Sequence, residues 1–372
     1  MTAEGKTIEG APVPPIKFSS NSLDLIRFFA ALDVAIKHGM VHLEVGLAWE
    51  RWFGLFPGVP IFFLISGFLI YRSYENSGSL RRFAENRFLR LYPGLWACFA
   101  VSLGLVFATG YLQWQVLGDP SFLTWAGAQF SFAQFYNWEG MRAFGSGVLN
   151  GSLWTISVEL QFYALTPVAW LLLRGRPRAM LAAIAAFLIF NVVYLAFVDL
   201  STTVGKLVMV TFVPWFYMFL LGAWVSTTPG VLDRLMAIKW RWLLLAYAVG
   251  MGVSVALGLP YLGNDVSPLV FLPLGALVLK AAFAWPHVAD RLLRRNDISY
   301  GLYIYHMPVI NVLMWFGLIG STTWLVVGVV AAVVLAILSW LLVERPALKL
   351  KRRTIRTLAV APSASDAAGP VS

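Results

Sequence analysis

Ten apolar stretches, each close to 20 residues long, follow one another at about 22–40, 58–73, 90–111, 155–173, 179–198, 207–226, 242–259, 267–285, 298–317 and 323–343. Their length is the strongest constraint on the fold. An α-helix rises 1.5 Å per residue, so about 20 apolar residues cover the roughly 30 Å hydrocarbon layer of a bilayer. In lipid every backbone N–H and C=O must be bonded within its own segment, which makes each run a helix. Composition leads the same way. Hydrophobic residues make up 59% of the chain and charged residues 12%, against about 25% charged in an ordinary soluble domain. Such a chain is not a soluble enzyme, a disordered protein or a coiled coil. The expected fold class is all-α, a polytopic membrane protein of about ten transmembrane helices.

The net charge of +10 follows from topology. With the N-terminus inside, 22 of the 28 Lys and Arg residues fall in cytoplasmic segments, and only Arg51, Arg142 and Lys206 fall in outer loops. This bias puts both termini in the cytoplasm and explains the charge without nucleic acid. The stretch 113–153 is aromatic-rich and broken by Gly and Pro, so it reads as an interfacial loop with a half-buried helix around 121–137. An extra crossing there would invert everything downstream. Residues 1–21 form an N-terminal tail without the pattern of a cleaved leader, 22–350 the membrane domain, and 351–372 a basic, then disordered, cytoplasmic tail. Cys98 is the single cysteine. It excludes an internal disulfide or a thiolate metal cluster and reads as packing.

Ionisable groups inside spans cost a few kcal/mol each on insertion scales, so each needs a partner or a purpose. The first span carries Asp24, Arg27, Asp33, Lys37 and His38. Asp33 and Lys37, four apart, neutralise each other. Arg27 and His38 are eleven apart, which returns them to within roughly 20° of one helix face with a rise of about 16 Å. One face thus presents a cation near the cytoplasm and an imidazole in the outer half. Glu159, within Trp154-Thr155-Ile156-Ser157-Val158-Glu159, falls at about the depth of His38 and could orient its ring as a general base requires. His306 is a second mid-membrane histidine. A lone intramembrane histidine is as often a packing residue, but three titratable groups in one region favour proton-transfer chemistry or transport. Arg87 and Arg90, three apart before Pro93, project the same way and could grip a polyphosphate. No metal-ligand spacing, Gly-rich phosphate loop or nucleophile elbow is present. The outer aromatics Trp114, Trp125, Phe135, Tyr136 and Trp138 suit either an interfacial belt or stacking on sugar rings.

Six segments in a fixed order resemble the acyltransferase-3 family of integral membrane O-acyltransferases. They are Leu23-Asp24-Leu25-Ile26-Arg27 with His38; Phe62 to Leu69 around Ser66; Arg87-Phe88-Leu89-Arg90-Leu91-Tyr92-Pro93; Trp154 to Tyr163; Ser299-Tyr300-Gly301 with His306; and Glu344-Arg345-Pro346. The resemblance runs from about 20 to 350. It implies a stand-alone enzyme of the bacterial inner membrane, moving an acyl group, most often acetyl, from cytoplasmic acyl-CoA to a hydroxyl of a cell-surface polysaccharide or lipid-linked glycan. No permanently bound cofactor is implied; acyl-CoA is a co-substrate. Arg27, His38 and Glu159 take the catalytic positions, and Arg87, Arg90, Ser299 and Tyr300 the acyl-CoA positions. Ser66, Trp154, Ser157 and His306 line the substrate cavity. His38 acts either as general base or as acyl carrier. The alternative is a proton-coupled or glycan transporter using the same buried groups.

Overall fold

The computed structural model describes residues 20–48, 50–293 and 296–358, with side chains as far as Lys351. The expectations for 1–19 and 359–372 lie outside the described residues. Among the described residues the regular secondary structure is all helical, with no strand. We label the principal helices α1 (Leu23–His42), α2 (Gly58–Glu75), α3 (Leu80–Ala108), α4 (Pro120–Phe130), α5 (Trp154–Leu173), α6 (Pro177–Phe197), α7 (Phe216–Thr227), α8 (Trp240–Ala256), α9 (Pro268–Ala284), α10 (Ser299–Trp315), α11 (Thr322–Ser339) and α12 (Arg345–Leu358).

Local sequence sets several boundaries. The Ser79 hydroxyl caps α3 by accepting from the Arg82 N–H, Asp119 caps α4 ahead of Pro120, and Ser321 caps α11. Five helical stretches are long and apolar enough to cross a membrane: Arg51–Glu75, Leu80–Ala108, Gly151–Leu173, Pro177–Phe197 and Thr322–Lys351. Helices α7, α8 and α9 are apolar but shorter. Helix α4, eleven residues long, rises about 16 Å, half the hydrocarbon thickness, too short to cross by itself.

Two expectations change. The run at 207–226 is not one helix: a short helix, Thr203–Met209, gives way to irregular backbone before α7 begins at Phe216. Pro214 cannot donate, and side chains satisfy the opened backbone. Gln161 donates to the Val210 carbonyl at 2.8 Å and accepts from the Phe212 N–H at 2.9 Å, and Asn191 donates to the Pro214 carbonyl at 3.0 Å. Secondly, helix continues beyond residue 350, because a π-helical turn at Trp340–Glu344 leads directly into α12.

Helices α2 and α10 form the centre, and nearly all of α10 is buried. The backbones of α2 and α7 touch at Gly67 and Gly222: a Cβ on Gly67 would fall on the Phe219 carbonyl, and one on Gly222 on the Leu64 carbonyl. A second apolar cluster holds the segment after α3. Trp125 and Trp138 stack there at 5.7 Å, both buried, so they are core rather than sugar platforms. Trp114 and Tyr136 remain exposed.

Candidate active site

Helices α1 and α10 pack along one another and are joined by two polar rungs. At the lower rung, Arg27 Nη1 donates to Asp297 Oδ2 at 2.7 Å. At the upper rung, His38 Nδ1 and His306 Nε2 share a hydrogen bond of 2.8 Å, with the rings stacked at 5.0 Å. Eleven residues on α1 are matched by nine from Asp297 to His306, so both rungs lie on the faces that the two helices turn to each other. One ring nitrogen of the histidine pair must donate and the other accept, so two imidazolium ions cannot share this bond.

Asp297, in the turn before α10, gathers a cluster. Its Oδ2 also accepts from Arg90 Nη2, and its Oδ1 accepts from the Ser299 hydroxyl at 2.5 Å and N–H at 3.2 Å. Arg90 Nη1 lies 3.9 Å from Glu344 Oε2, whose other oxygen accepts from the Ser339 hydroxyl at 2.9 Å. Gly94 makes room: a Cβ there would stand 2.9 Å from the Tyr300 ring and 3.2 Å from Glu344 Cγ. Burial opposes ionisation of Asp297, but Arg27 and Arg90, with the Ser299 bonds, outweigh it and hold the carboxyl below its ordinary range.

Two cavities flank this cluster. The larger, about 870 Å³, is lined by Arg81, Arg87, Phe88 and Tyr92 of α3 and by Tyr163 and Pro167 of α5, among others. The smaller, about 30 Å³, is lined by Arg27, Phe62, Ile156, Glu159, Tyr300 and Tyr303, among others. Tyr163 borders the first and Glu159 the second. The Tyr163 hydroxyl donates to Glu159 Oε1 at 2.5 Å, so this bond lies on the boundary between them. Tyr303 meets His306 edge-on at 5.8 Å, which puts the small cavity one ring away from the histidine pair.

The structure brings together some of the residues singled out in the sequence and separates others. Arg27, His38 and His306 converge on the α1–α10 seam. Glu159 does not bond His38: its partners are Tyr163 and the Ser66 hydroxyl, at 3.4 Å, and the ring that meets His38 is His306. Arg87 faces the large cavity, donates to the Ser73 hydroxyl at 3.3 Å and stacks over Phe83 and Tyr163. Arg90 does not share that position, because its guanidinium is committed to Asp297 and Glu344. Ser299 is buried on Asp297, and the Tyr300 hydroxyl donates to the Leu91 carbonyl at 2.9 Å, so neither lines the large cavity. Trp154 packs on Trp215, and Ser157 donates to Gln134 at 3.1 Å. The expected Asp33–Lys37 pair forms at 2.7 Å. Among the described residues no group of three or more His, Cys, Asp or Glu could hold a metal ion.

Asp297 and Tyr163 were not singled out in the sequence as site residues. Asp297 had a signal: two arginines, Arg27 and Arg90, in need of an anion, and an Asp-x-Ser sequence immediately before a helix.

A family model described as an acyltransferase domain matches residues 20–344. The chain is 32% identical over 357 residues to nodulation protein 10 of Rhizobium leguminosarum bv. viciae, covering 92% of this chain and 97% of that protein. It is 26% identical to an O-acetyl transferase of Shigella phage Sf6, over 88% of this chain and 95% of the other. A putative membrane-bound transacylase of Komagataeibacter xylinus is 29% identical, over 86% and 84%. No solved structure matches the chain.

Proposed function

The chain belongs to the acyltransferase-3 family, and from that premise we propose that it is a membrane O-acyltransferase. It moves an acyl group, acetyl in the first instance, from cytoplasmic acyl-CoA to a hydroxyl of a surface polysaccharide or lipid-linked glycan. The observation that carries this reading is the histidine pair, His38 on His306 at 2.8 Å, on the helix face that also bears Arg27. We assign about ten transmembrane helices, both termini in the cytoplasm, and a bacterial inner-membrane location, on the distribution of Lys and Arg.

In this scheme Arg87, with Arg81 beside it, holds the donor phosphates in the 870 Å³ cavity. Entry of the pantetheine arm requires the Tyr163–Glu159 bond to open and the small cavity beyond it to widen, and the arm then delivers the thioester past Arg27 and Tyr303. His306 Nε2 accepts from His38 Nδ1–H and fixes the tautomer, so that His38 Nε2 carries the free lone pair. That nitrogen takes the proton of the acceptor hydroxyl as its oxygen attacks the thioester carbonyl. The C–S bond breaks, and the departing CoA sulfur takes the proton back from His38. The alternative course, acyl transfer first to His38 and then to the hydroxyl, uses the same atoms. Arg90 acts as a positioning residue through Asp297.

The test is release of CoA from labelled acetyl-CoA by purified protein, with and without acceptor glycan. Acceptor-dependent release that His38→Ala abolishes while the thermal midpoint holds is the expected result. Full activity of His38→Ala would remove the assignment, and binding of glycan without any CoA release would point to transport.

A further inference from the structure

A third cavity, of about 210 Å³, shares no lining residue with the two at the active site. It lies where the end of α2, the α5–α6 turn and the end of α7 meet, and its walls include Tyr71, Glu75, Arg174, Arg176, Pro177 and Thr228. Tyr71 is 1% exposed, and its hydroxyl has no hydrogen-bond partner. A buried hydroxyl left unbonded is costly and rare.

Two further features meet at this cavity. Helix α6, 21 residues long, begins at it with Pro177 in the first position and no side-chain cap from Arg176. The next N–H groups, of Arg178 and Ala179, therefore stand at the positive end of a helix without a capping side chain. Gly175, at φ 67°, reverses the chain so that Arg174 and Arg176 both border the space. Arg174 lies over the Trp170 ring at 4.2 Å, and Arg176 makes one long bond, 3.4 Å, to the Leu172 carbonyl. Glu75 is the one carboxylate on the lining, so two guanidiniums against one carboxylate leave a net charge of +1.

We infer that this cavity is a second binding site, for the phosphate of a phosphodiester. A buried hydroxyl donor and two guanidiniums, beside the positive end of a helix, form a donor-rich lining suited to phosphate oxygens. The net charge of +1 matches a singly charged diester better than a phosphate dianion. A phospholipid headgroup at the membrane surface and a soluble phosphate ester share this chemistry, and the experiment separates them.

The full chain, purified in detergent and stripped of lipid, is titrated with phosphatidylglycerol in mixed micelles and, separately, with glycerophosphoglycerol, the soluble diester that lacks the acyl chains. Binding is read by native mass spectrometry and by the thermal midpoint. Phosphatidylglycerol is expected to bind, and Tyr71→Phe, which removes only the hydroxyl, to weaken it about tenfold or more. Arg174→Gln with Arg176→Gln weakens it further, while acetyl-CoA turnover by Tyr71→Phe stays at the wild-type rate. Glycerophosphoglycerol binding without phosphatidylglycerol binding, with the same losses in the variants, supports the site with a soluble source. No binding of either probe, or binding that Tyr71→Phe leaves unchanged, overturns the inference.

Discussion

Replacing Asp297 with Asn keeps an acceptor for the Ser299 hydroxyl but removes the charge that Arg27 and Arg90 share. At 2.7 Å, with an effective dielectric constant of about 20, one such pair is attracted by about 6 kcal/mol before desolvation. Because burial consumes part of that attraction, the net cost of removing one partner is about 3–5 kcal/mol. The remaining carboxylates do not compensate: Glu344 lies 3.9 Å from Arg90, and Asp24, 3.8 Å from Arg27, is half exposed. At roughly 2–4 °C per kcal/mol for a large domain, the thermal midpoint in detergent should fall by roughly 6 °C or more. Asp297→Glu should lose less. Combined with Arg90→Gln, the two losses should be less than additive, since each removes the same bond. Acid supplies a signed check. The folded carboxyl is held below its unfolded value, so its contribution is fully present above about pH 4 and is lost as pH falls towards the folded value. The gap in midpoint between wild type and Asp297→Asn should therefore be flat through the neutral range and close only below about pH 4. An unchanged midpoint for Asp297→Asn, or strictly additive losses with Arg90→Gln, would refute the shared-anion reasoning.

Three other outcomes are expected. His306→Ala should lower kcat for acetyl-CoA by about a hundredfold or more with little change in KM, because it frees the tautomer of His38 without touching the donor cavity; steady-state kinetics decide, and an equal loss in KM would argue against it. Arg87→Gln should raise KM for acetyl-CoA about tenfold with an unchanged midpoint, whereas Arg90→Gln should lower the midpoint, because only Arg87 lines the large cavity. Trp125→Ala should cost about 3–5 kcal/mol of stability while Trp114→Ala costs almost nothing, since Trp125 is buried on Trp138 and Trp114 is 72% exposed; thermal unfolding of the pair tests it.

The sequence made the helices legible because the rule that lipid imposes is local: a long apolar run has to be a helix whatever surrounds it. The break at 210–215 was not legible, since its backbone is satisfied by Gln161 and Asn191 from two other helices. Spacing along α1 put Arg27 and His38 on one face, because helical periodicity needs no neighbour. The partner of His38 was another matter. Counting residues from a membrane edge estimates the depth of Glu159 but says nothing of which way α5 is turned, and Glu159 faces Tyr163 and Ser66. The surroundings of Arg90 are hidden from the sequence for the same reason. Three residues from Arg87 it shares a helix face, yet the Asp297 that claims it is 207 residues away in sequence.

In the proposed scheme, the two rungs between α1 and α10 also explain why a cation cluster is built beneath the histidine pair without lining the donor cavity. A slip of one residue between two helices shifts them about 1.5 Å and turns the facing side chains by about 100°. Either change would separate His38 from His306, whose bond is 2.8 Å long. Apolar contacts along the seam resist such a slip weakly, because lipid solvates Leu and Val as well as another helix does. An ion pair resists it strongly, since a displaced guanidinium or carboxylate would be left uncompensated at low dielectric. Asp297 bonds Arg27 of α1 and Arg90 of α3 at once, and Glu344 ties Arg90 to the turn before α12. Four segments are thereby fixed at one level, about 16 Å along α1 from the imidazoles. In the proposed scheme, the arginine that spacing alone assigns to the donor thus acts on the chemistry from a distance, by holding the register in which one histidine orients the other.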